Sequence, residues 1–409
     1  MSKKGRSRPE HQLYAYALPL VPTPSTSLFA RSINGILPSY LAITTVENPR
    51  CVATFDAMTR SVWVTNKKDR EILWRRGFFG KGNLSRSEPS WLNRRMNQLR
   101  SEASVAAGGK KILTSEEVTA QRRAERKHFK AERERAVAEA AAHAEAVFQA
   151  EGKLVEAPAE HISTTSATAT SEPQNDSASA TPPSQSVEGD AEDTEVIVPD
   201  IEEVDDVEHL QLSLQEAFFL SWALDCLAIL DPATGQYLSP EDLFLAFLRS
   251  SCSLPTAILS SLSASATEHL WRRFDNPFLI NYVAYHHFRS LGWVVKSGIK
   301  FCVDLLLYKK GPVFSHAEFS IVVCPVYEDP SDEETSPFDL PNTKPFSWAW
   351  LSTLNRANTQ VRKALMIAYV TIPSWKRVPL DKLHSPEVIT QYSVREVTVK
   401  RFVPARMRD

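Results

Sequence analysis

The sequence predicts an α/β fold with a mixed sheet in its C-terminal part, and three observations carry that prediction. Five strand-like runs follow Gly292: WVVKSG, KFCVDLLLY, AEFSIVVCPVY, KALMIAYVTI and VREVTVKRFV. One helix-like stretch, SWAWLSTLNRANTQV, separates the third run from the fourth. A Gly311-Pro312 turn joins the second to the third, as between neighbouring strands of one sheet. Strands around a helix in this order make an α/β layer arrangement.

The 409 residues allow two or three domains, and 43% apolar content suffices for at least one core. Net charge is −2, but it is segregated: the first hundred residues are basic and 153–207 are acidic. The start, SKKGRSR, is a basic cluster, and residues 1–27, with Pro19, Pro22 and Pro24, read as poorly ordered. Residues 28–110 read as a small α+β domain. It has strands near Val52–Phe55 and Ser61–Val64, then a helix from Asp69 to Arg76 ended by Gly77. Here Trp74, Phe78 and Phe79 beside Arg75 and Arg76 read either as an RNA surface or as a small core with a basic rim. GKG is too short for a phosphate-binding loop, and GK[ST] does not occur.

Residues 111–152 are rich in Ala, Glu, Arg and Lys and predict a long exposed helix. They lack the sustained apolar seam of a coiled coil, and the basic first half is an alternative RNA contact. Residues 153–207, poor in large apolar groups, read as a disordered acidic linker. Residues 208–292 read as the helical part of the last domain. Ser213 with Glu216 makes a capping box before AFFLSWALDCLAIL, Ser239-Pro240 starts a second helix, and NPFLINYVAYHHFRSLG ends at Gly292. His286 and His287 are adjacent and so point to different faces, which argues against a metal pair. Residues 293–409 form the sheet, interrupted by an acidic, Pro-rich loop at 327–345 that is expected to protrude and disorder. The five cysteines form no CxxC pair, which suits reduced thiols, and no 18-residue apolar span occurs.

Residues 301–320 concentrate the chemistry. Tyr308 ends the second strand-like run, His316 follows eight residues later, and Lys363 opens the fourth run. A phenol, an imidazole and an amine at one sheet edge suit metal-free RNA cleavage. A base takes the ribose 2′ proton, an acid protonates the departing 5′ oxygen, and a cation holds the phosphoryl charge. Lys309, Lys310 and Lys363 are expected to pull the Tyr308 pKa down toward use as a base. A rival reading takes Asp304 and Glu318 as ligands of a metal-dependent nuclease.

YKKGPVFSHAEFSIVV followed by LNRANTQVRKALMIAYV resembles the catalytic domain of tRNA-splicing endonucleases, over about 278–403. FDAMTRSVWV and WRRGFFGKGNLSRSEPSW resemble the N-terminal domain of the subunit that cuts the 5′ splice site. The resemblance implies a restriction-endonuclease-like sheet with Tyr308 as base, His316 as acid and Lys363 as transition-state stabiliser. It implies a lyase-type tRNA-intron endonuclease that needs no metal or cofactor and leaves 2′,3′-cyclic phosphate and 5′-OH ends. It also implies a base clamp of Arg356 with a C-terminal aromatic, here Phe402 where tryptophan is expected, and Lys400, Arg401 and Arg395 are candidate phosphate contacts. The implied partners are pre-tRNA, a second catalytic subunit and two structural subunits, in the nucleus or on the cytosolic face of an organelle. The alternative is a catalytically silent paralogue serving as an RNA-binding or scaffold subunit.

Overall fold

A computed structural model describes residues 14, 17–24, 44–85, 87–106, 115–151, 204–252, 264–344 and 346–400. The chain forms two compact units. One comprises residues 1–91 with 207–409, the other residues 92–206. None of the described helices is long and apolar enough to cross a membrane.

The larger unit is mixed α/β with two mixed five-stranded sheets. The first contains β3 (Cys51–Asp56), β4 (Ser61–Val64), β5 (Lys81–Gly82), β6 (Leu210–Ser213) and β7 (Leu227–Leu230), in the order β5-β6-β4-β3-β7. Helix α1 (Lys67–Arg75) follows β4. It is capped by Asn66, whose side chain accepts from the Lys68 N–H, and it starts two residues earlier than the sequence implied. Trp74, Phe78 and Phe79 are all buried, so of the two readings of this basic stretch the core reading is correct.

Two expectations change here. Residues 208–292 are not only helical. The run AFFLSWALDCLAIL starts as α4 (Leu214–Phe218) under the expected Ser213–Glu216 capping box and continues as a π turn to Ala223. It then breaks at Asp225, which sits at φ 48°. Beyond the break, Leu227 to Leu230 pair in parallel with Cys51 to Thr54. Alternating burial suits LAIL to a strand, and a neighbour more than 170 residues away supplies the pairing. Residues 1–27 are not wholly irregular either: β1 (Val21–Pro24) pairs antiparallel with β2 (Thr44–Glu47). A two-stranded ribbon has only edges, where proline is tolerated.

The second sheet runs β12-β11-β10-β9-β8: β8 (Val294–Ser297), β9 (Leu305–Tyr308), β10 (Phe319–Tyr327), β11 (Ala364–Ile372) and β12 (Ser393–Val399). Strands β10 and β11 are parallel and the other pairs antiparallel. Helix α5 (Pro240–Ser250) starts on Ser239, as the sequence indicated, and α6 (Ala264–Trp271) follows. Helix α7 (Pro277–Ser290) is capped by Asn276 and packs on β8, β10 and β11, burying Phe278, Tyr282, Tyr285 and Phe288. On α7 the two imidazoles separate: His286 faces Phe219 and Trp222, and His287 Nε2 lies 2.7 Å from Glu396. After the short α8 (Ser331–Glu334), helix α9 (Trp348–Gln360) covers the opposite face of the sheet. There Leu351 and Leu354 pack with Leu306, Val322, Cys324, Leu365 and Ile367.

The loop at 327–345 is pinned rather than loose, against expectation. Its carboxylates find cations from a distant segment: Glu328 receives Arg377 Nε at 3.0 and 2.9 Å, and Asp329 receives Lys376 Nζ at 2.5 Å. Leu340 is buried, Phe338 packs on the core, and Asn342 donates to the Val323 carbonyl at 3.2 Å.

Lys296 of β8 ties the two sheets. Its ammonium donates to the Gly80 carbonyl at 2.7 Å, lies 3.6 Å from Glu216 and stands 4.9 Å from the Trp74 ring centre. Burial pulls its pKa down to about 8, partly opposed by Glu216. Between pH 8 and the ordinary lysine value the unfolded chain holds a proton the folded chain has lost, so folding stability rises with pH across that window. Urea titrations over that interval should show this rise in the native chain and a smaller one in Lys296→Met. Identical pH slopes would contradict the assignment.

The second unit holds α2 (Trp91–Ala106) from its second residue on, and α3 (Ser115–Glu151). Where described from 120 to 139, the α3 side chains are exposed, with pairs such as Lys130–Glu134 (3.7 Å) and Arg135–Glu139 (2.9 Å) one turn apart. Such pairs contribute only about 0.3–0.5 kcal/mol each. Residues 152–203, which hold nearly all of the acidic linker, lie outside the described residues.

Candidate active site

Backbone register brings the chemistry to one end of the second sheet. Leu307 pairs with Phe319, and Phe319 pairs with Ala364. The ladder continues one residue further: Glu318 N–H donates to the Leu307 carbonyl, and Ala364 N–H to the Glu318 carbonyl, both at 2.9 Å. Tyr308, Glu318 and Lys363 therefore occupy one row across three strands. Two strand spacings put the Tyr308 and Lys363 backbones roughly 10 Å apart.

The pleat fixes which way they face. Leu306, Val322, Cys324, Leu365 and Ile367 all contribute to the cluster under α9. Side chains two residues apart share a face, so Tyr308, Glu318 and Lys363 share the α9 face. His316 lies in the turn between β9 and β10, at the same end, and is exposed. Next to it Ala317 is buried in that same cluster.

Each group has a defined environment. Tyr308 is half-buried, and its hydroxyl has no hydrogen-bond partner among the described residues. Burial raises its pKa. The expected lowering by lysines is thus reversed: Lys309 and Lys310 are exposed, and desolvation is what acts on the phenol. Lys363 is only 7% exposed. Its ammonium sits 4.2 Å from the Phe301 ring centre and 3.4 Å from the Val361 carbonyl, and burial lowers its pKa. The backbone around it is set by Asn358, whose carbonyl receives Lys363 N–H at 3.0 Å and whose amide donates to the Phe301 and Leu354 carbonyls. Arg362, at φ 57°, turns the chain from α9 into β11.

Sequence reasoning missed Phe301 and Asn358. Nothing local marks either one, because both act through a packing that joins the β8–β9 turn to the end of α9.

The remaining candidates divide. Arg356 is exposed on α9, Arg395 on β12, and Lys400 just beyond it. Phe402 and Arg401 lie outside the described residues, so the two halves of the clamp are not both in view. The rival carboxylate pair does not converge. Asp304 is partly buried and its Oδ2 accepts from Val323 N–H at 2.7 Å, while Glu318 lies five residues earlier on that strand. Five residues of strand span roughly 16 Å, too far for two ligands of one ion.

The tRNA intron endonuclease catalytic C-terminal domain matches residues 278–374, a span that holds Tyr308, His316, Arg356 and Lys363. Over 371 residues the chain is 35% identical to the probable tRNA-splicing endonuclease subunit sen2 of Schizosaccharomyces pombe, covering 85% of this chain and 84% of the relative. It is 30% identical to the SEN2 subunit of Eremothecium gossypii, with 97% of both chains covered. To the Sen2 subunit of Rattus norvegicus it is 36% identical over 49% of this chain and 36% of the relative. With that coverage and a catalytic-domain match that spans the row of Tyr308 and Lys363, the chain belongs to the Sen2 subunit family of tRNA-splicing endonucleases.

Proposed function

We propose that this chain is the catalytic subunit that cuts pre-tRNA at the 5′ splice site, without a metal. The phenolate form of Tyr308 takes the proton of the ribose 2′-OH, and the 2′ oxygen forms a bond to the adjacent phosphorus. The P–O5′ bond breaks, and His316 gives its proton to the departing oxygen. The products are a 2′,3′-cyclic phosphate and a 5′-OH. Lys363 holds the charge that builds on the phosphoryl oxygens. The observation that supports this reading most directly is the row that sets Tyr308 and Lys363 on one face, with His316 in the turn at the same edge.

In this reading the second sheet is the restriction-endonuclease-like sheet of the family. Arg356, Phe402, Arg401 and Lys400 hold the RNA beside the cut. Strand β12 ends the sheet and is exposed along most of its length, which suits strand pairing with a partner. The partners are a second catalytic subunit for the other splice site and two structural subunits, working in the nucleus.

The test is to map product ends from purified complex in excess EDTA, with native chain and with His316→Ala. Native complex should leave a cyclic phosphate on the 5′ exon, and the variant should keep the 3′ cut while its 5′ cut falls by on the order of 10²–10⁴-fold. Loss of the native 5′ cut in EDTA would overturn the metal-free reading, and normal cutting by the variant would overturn the residue assignment.

A further inference from the structure

We propose that Phe78, in the first sheet's half of the molecule, positions the loop that carries His316. The inference rests on reading His316 as the acid of the 5′ cut.

The segment Gly77–Gly80 is held from the other half of its unit. Arg289 of α7 donates to the Gly77 carbonyl at 2.5 Å and stands 4.1 Å from the Phe79 ring centre. Lys296 of β8 donates to the Gly80 carbonyl at 2.7 Å, and Glu216 receives Gly80 N–H at 3.0 Å. Phe78 is thereby fixed in the left-handed region, at φ 57°, with its N–H on the Trp74 carbonyl at 2.8 Å. A non-glycine residue there needs a surrounding that compels it.

The Phe78 ring, 4% exposed, is aimed at the loop between β9 and β10. It meets Phe314 edge-on at 6.2 Å and stacks on Tyr14 at 5.3 Å, and Tyr14 in turn meets Phe314 edge-on at 5.7 Å. Gly311 lies closer still: a Cβ there would come within 2.3 Å of the Phe78 ring, and its φ of 123° suits glycine. Phe314 N–H and Ser315 N–H both turn back to the Gly311 carbonyl, at 3.1 and 3.4 Å.

His316 is therefore bracketed. Two residues before it, Phe314 packs against the core that contains Phe78. One residue after it, Ala317 is buried in the cluster under α9. The imidazole itself stays exposed, so its position comes from these two anchors. General-acid transfer needs the donor within hydrogen-bond reach of the leaving oxygen, and a displacement near 1 Å costs on the order of 10²-fold.

The test uses the assembled complex and two pre-tRNAs. One is unmodified, and the other carries sulfur in place of the bridging 5′ oxygen at the 5′ splice site. A thiolate leaves without needing a proton, so defects in the acid disappear on that substrate. Phe78→Ala and Phe314→Ala should each lower kcat on the oxygen substrate by on the order of 10–10²-fold, with KM nearly unchanged, and should match native complex on the sulfur substrate. Equal losses on both substrates would show that Phe78 only stabilises the fold, and no loss on the oxygen substrate would show that it positions nothing. Phe314 is half-buried, so its variant carries the test if Phe78→Ala does not assemble. His316→Ala is the reference: if sulfur does not rescue it, the acid assignment falls, whatever Phe78 does.

Discussion

Tyr308→Phe is expected to lower the rate of the 5′ cut by on the order of 10²–10⁴-fold while leaving the 3′ cut, assembly and folding stability in place. The phenol hydroxyl makes no hydrogen bond among the described residues, so its removal orphans no partner. The ring, packed against both apolar clusters, is retained by phenylalanine. A stability change beyond about 0.5 kcal/mol is therefore not expected. Most residues in a folded core would behave the other way, losing stability first and activity as a consequence.

The direction of the Tyr308 pKa adds a second, independent readout. Burial holds the phenol above its ordinary value of 10.0, so the phenolate is scarce at neutral pH and its share grows with every rise in pH. In His316→Ala no acid remains to be lost. Its residual rate at the 5′ site should climb about tenfold per pH unit from pH 6 to 9, and the slope should vanish in the Tyr308→Phe/His316→Ala double variant. A single-turnover pH profile decides this. A flat profile for His316→Ala would remove Tyr308 from the role of base.

How far the sequence revealed this site depends on the range of the interaction concerned. Ser213 and Ser239 announce their helices, because a cap is made within three residues. Strands β8 to β12 are visible as apolar runs, and the Gly311-Pro312 turn is enough to set β9 beside β10. What stayed hidden is non-local. LAIL at 227–230 looks like the tail of a helix until Cys51–Thr54 is placed beside it. The acidic loop looks unsupported until Lys376 and Arg377, more than 40 residues on, supply its counter-charges. The direction of the Tyr308 pKa is hidden for the same reason: three nearby lysines count in the sequence, but whether they or the apolar packing dominate depends on burial. The RGFFGKG stretch was legible as a motif but not as a contact, because Phe314 is its partner only in three dimensions.

Asp275→Ala should destabilise the larger unit by about 3–5 kcal/mol, the largest stability effect expected from a single charge. Asp275 is 2% exposed and Arg273 7%. Their two-point pairing, Nε to Oδ1 at 2.8 Å and Nη2 to Oδ2 at 3.1 Å, leaves a bare buried guanidinium if the carboxylate goes. Tyr327 also donates to Asp275, at 3.2 Å, and would lose its acceptor. Arg273 in turn stands 4.6 Å from the Trp375 ring centre and reaches the Asp332 carbonyl and the Thr335 hydroxyl, both at 3.5 Å. One ion pair thus ties the start of α7 to the acidic loop and to the segment after β11. Removing both charges, in Arg273→Met/Asp275→Leu, should cost less than Asp275→Ala alone, because no unpaired charge stays buried. Urea midpoints for the two variants measure this, and limited proteolysis reports whether cleavage first appears within residues 331–344. If the single variant lost under 1 kcal/mol, or if the double variant were the worse of the two, the pair would not be the clamp on this loop.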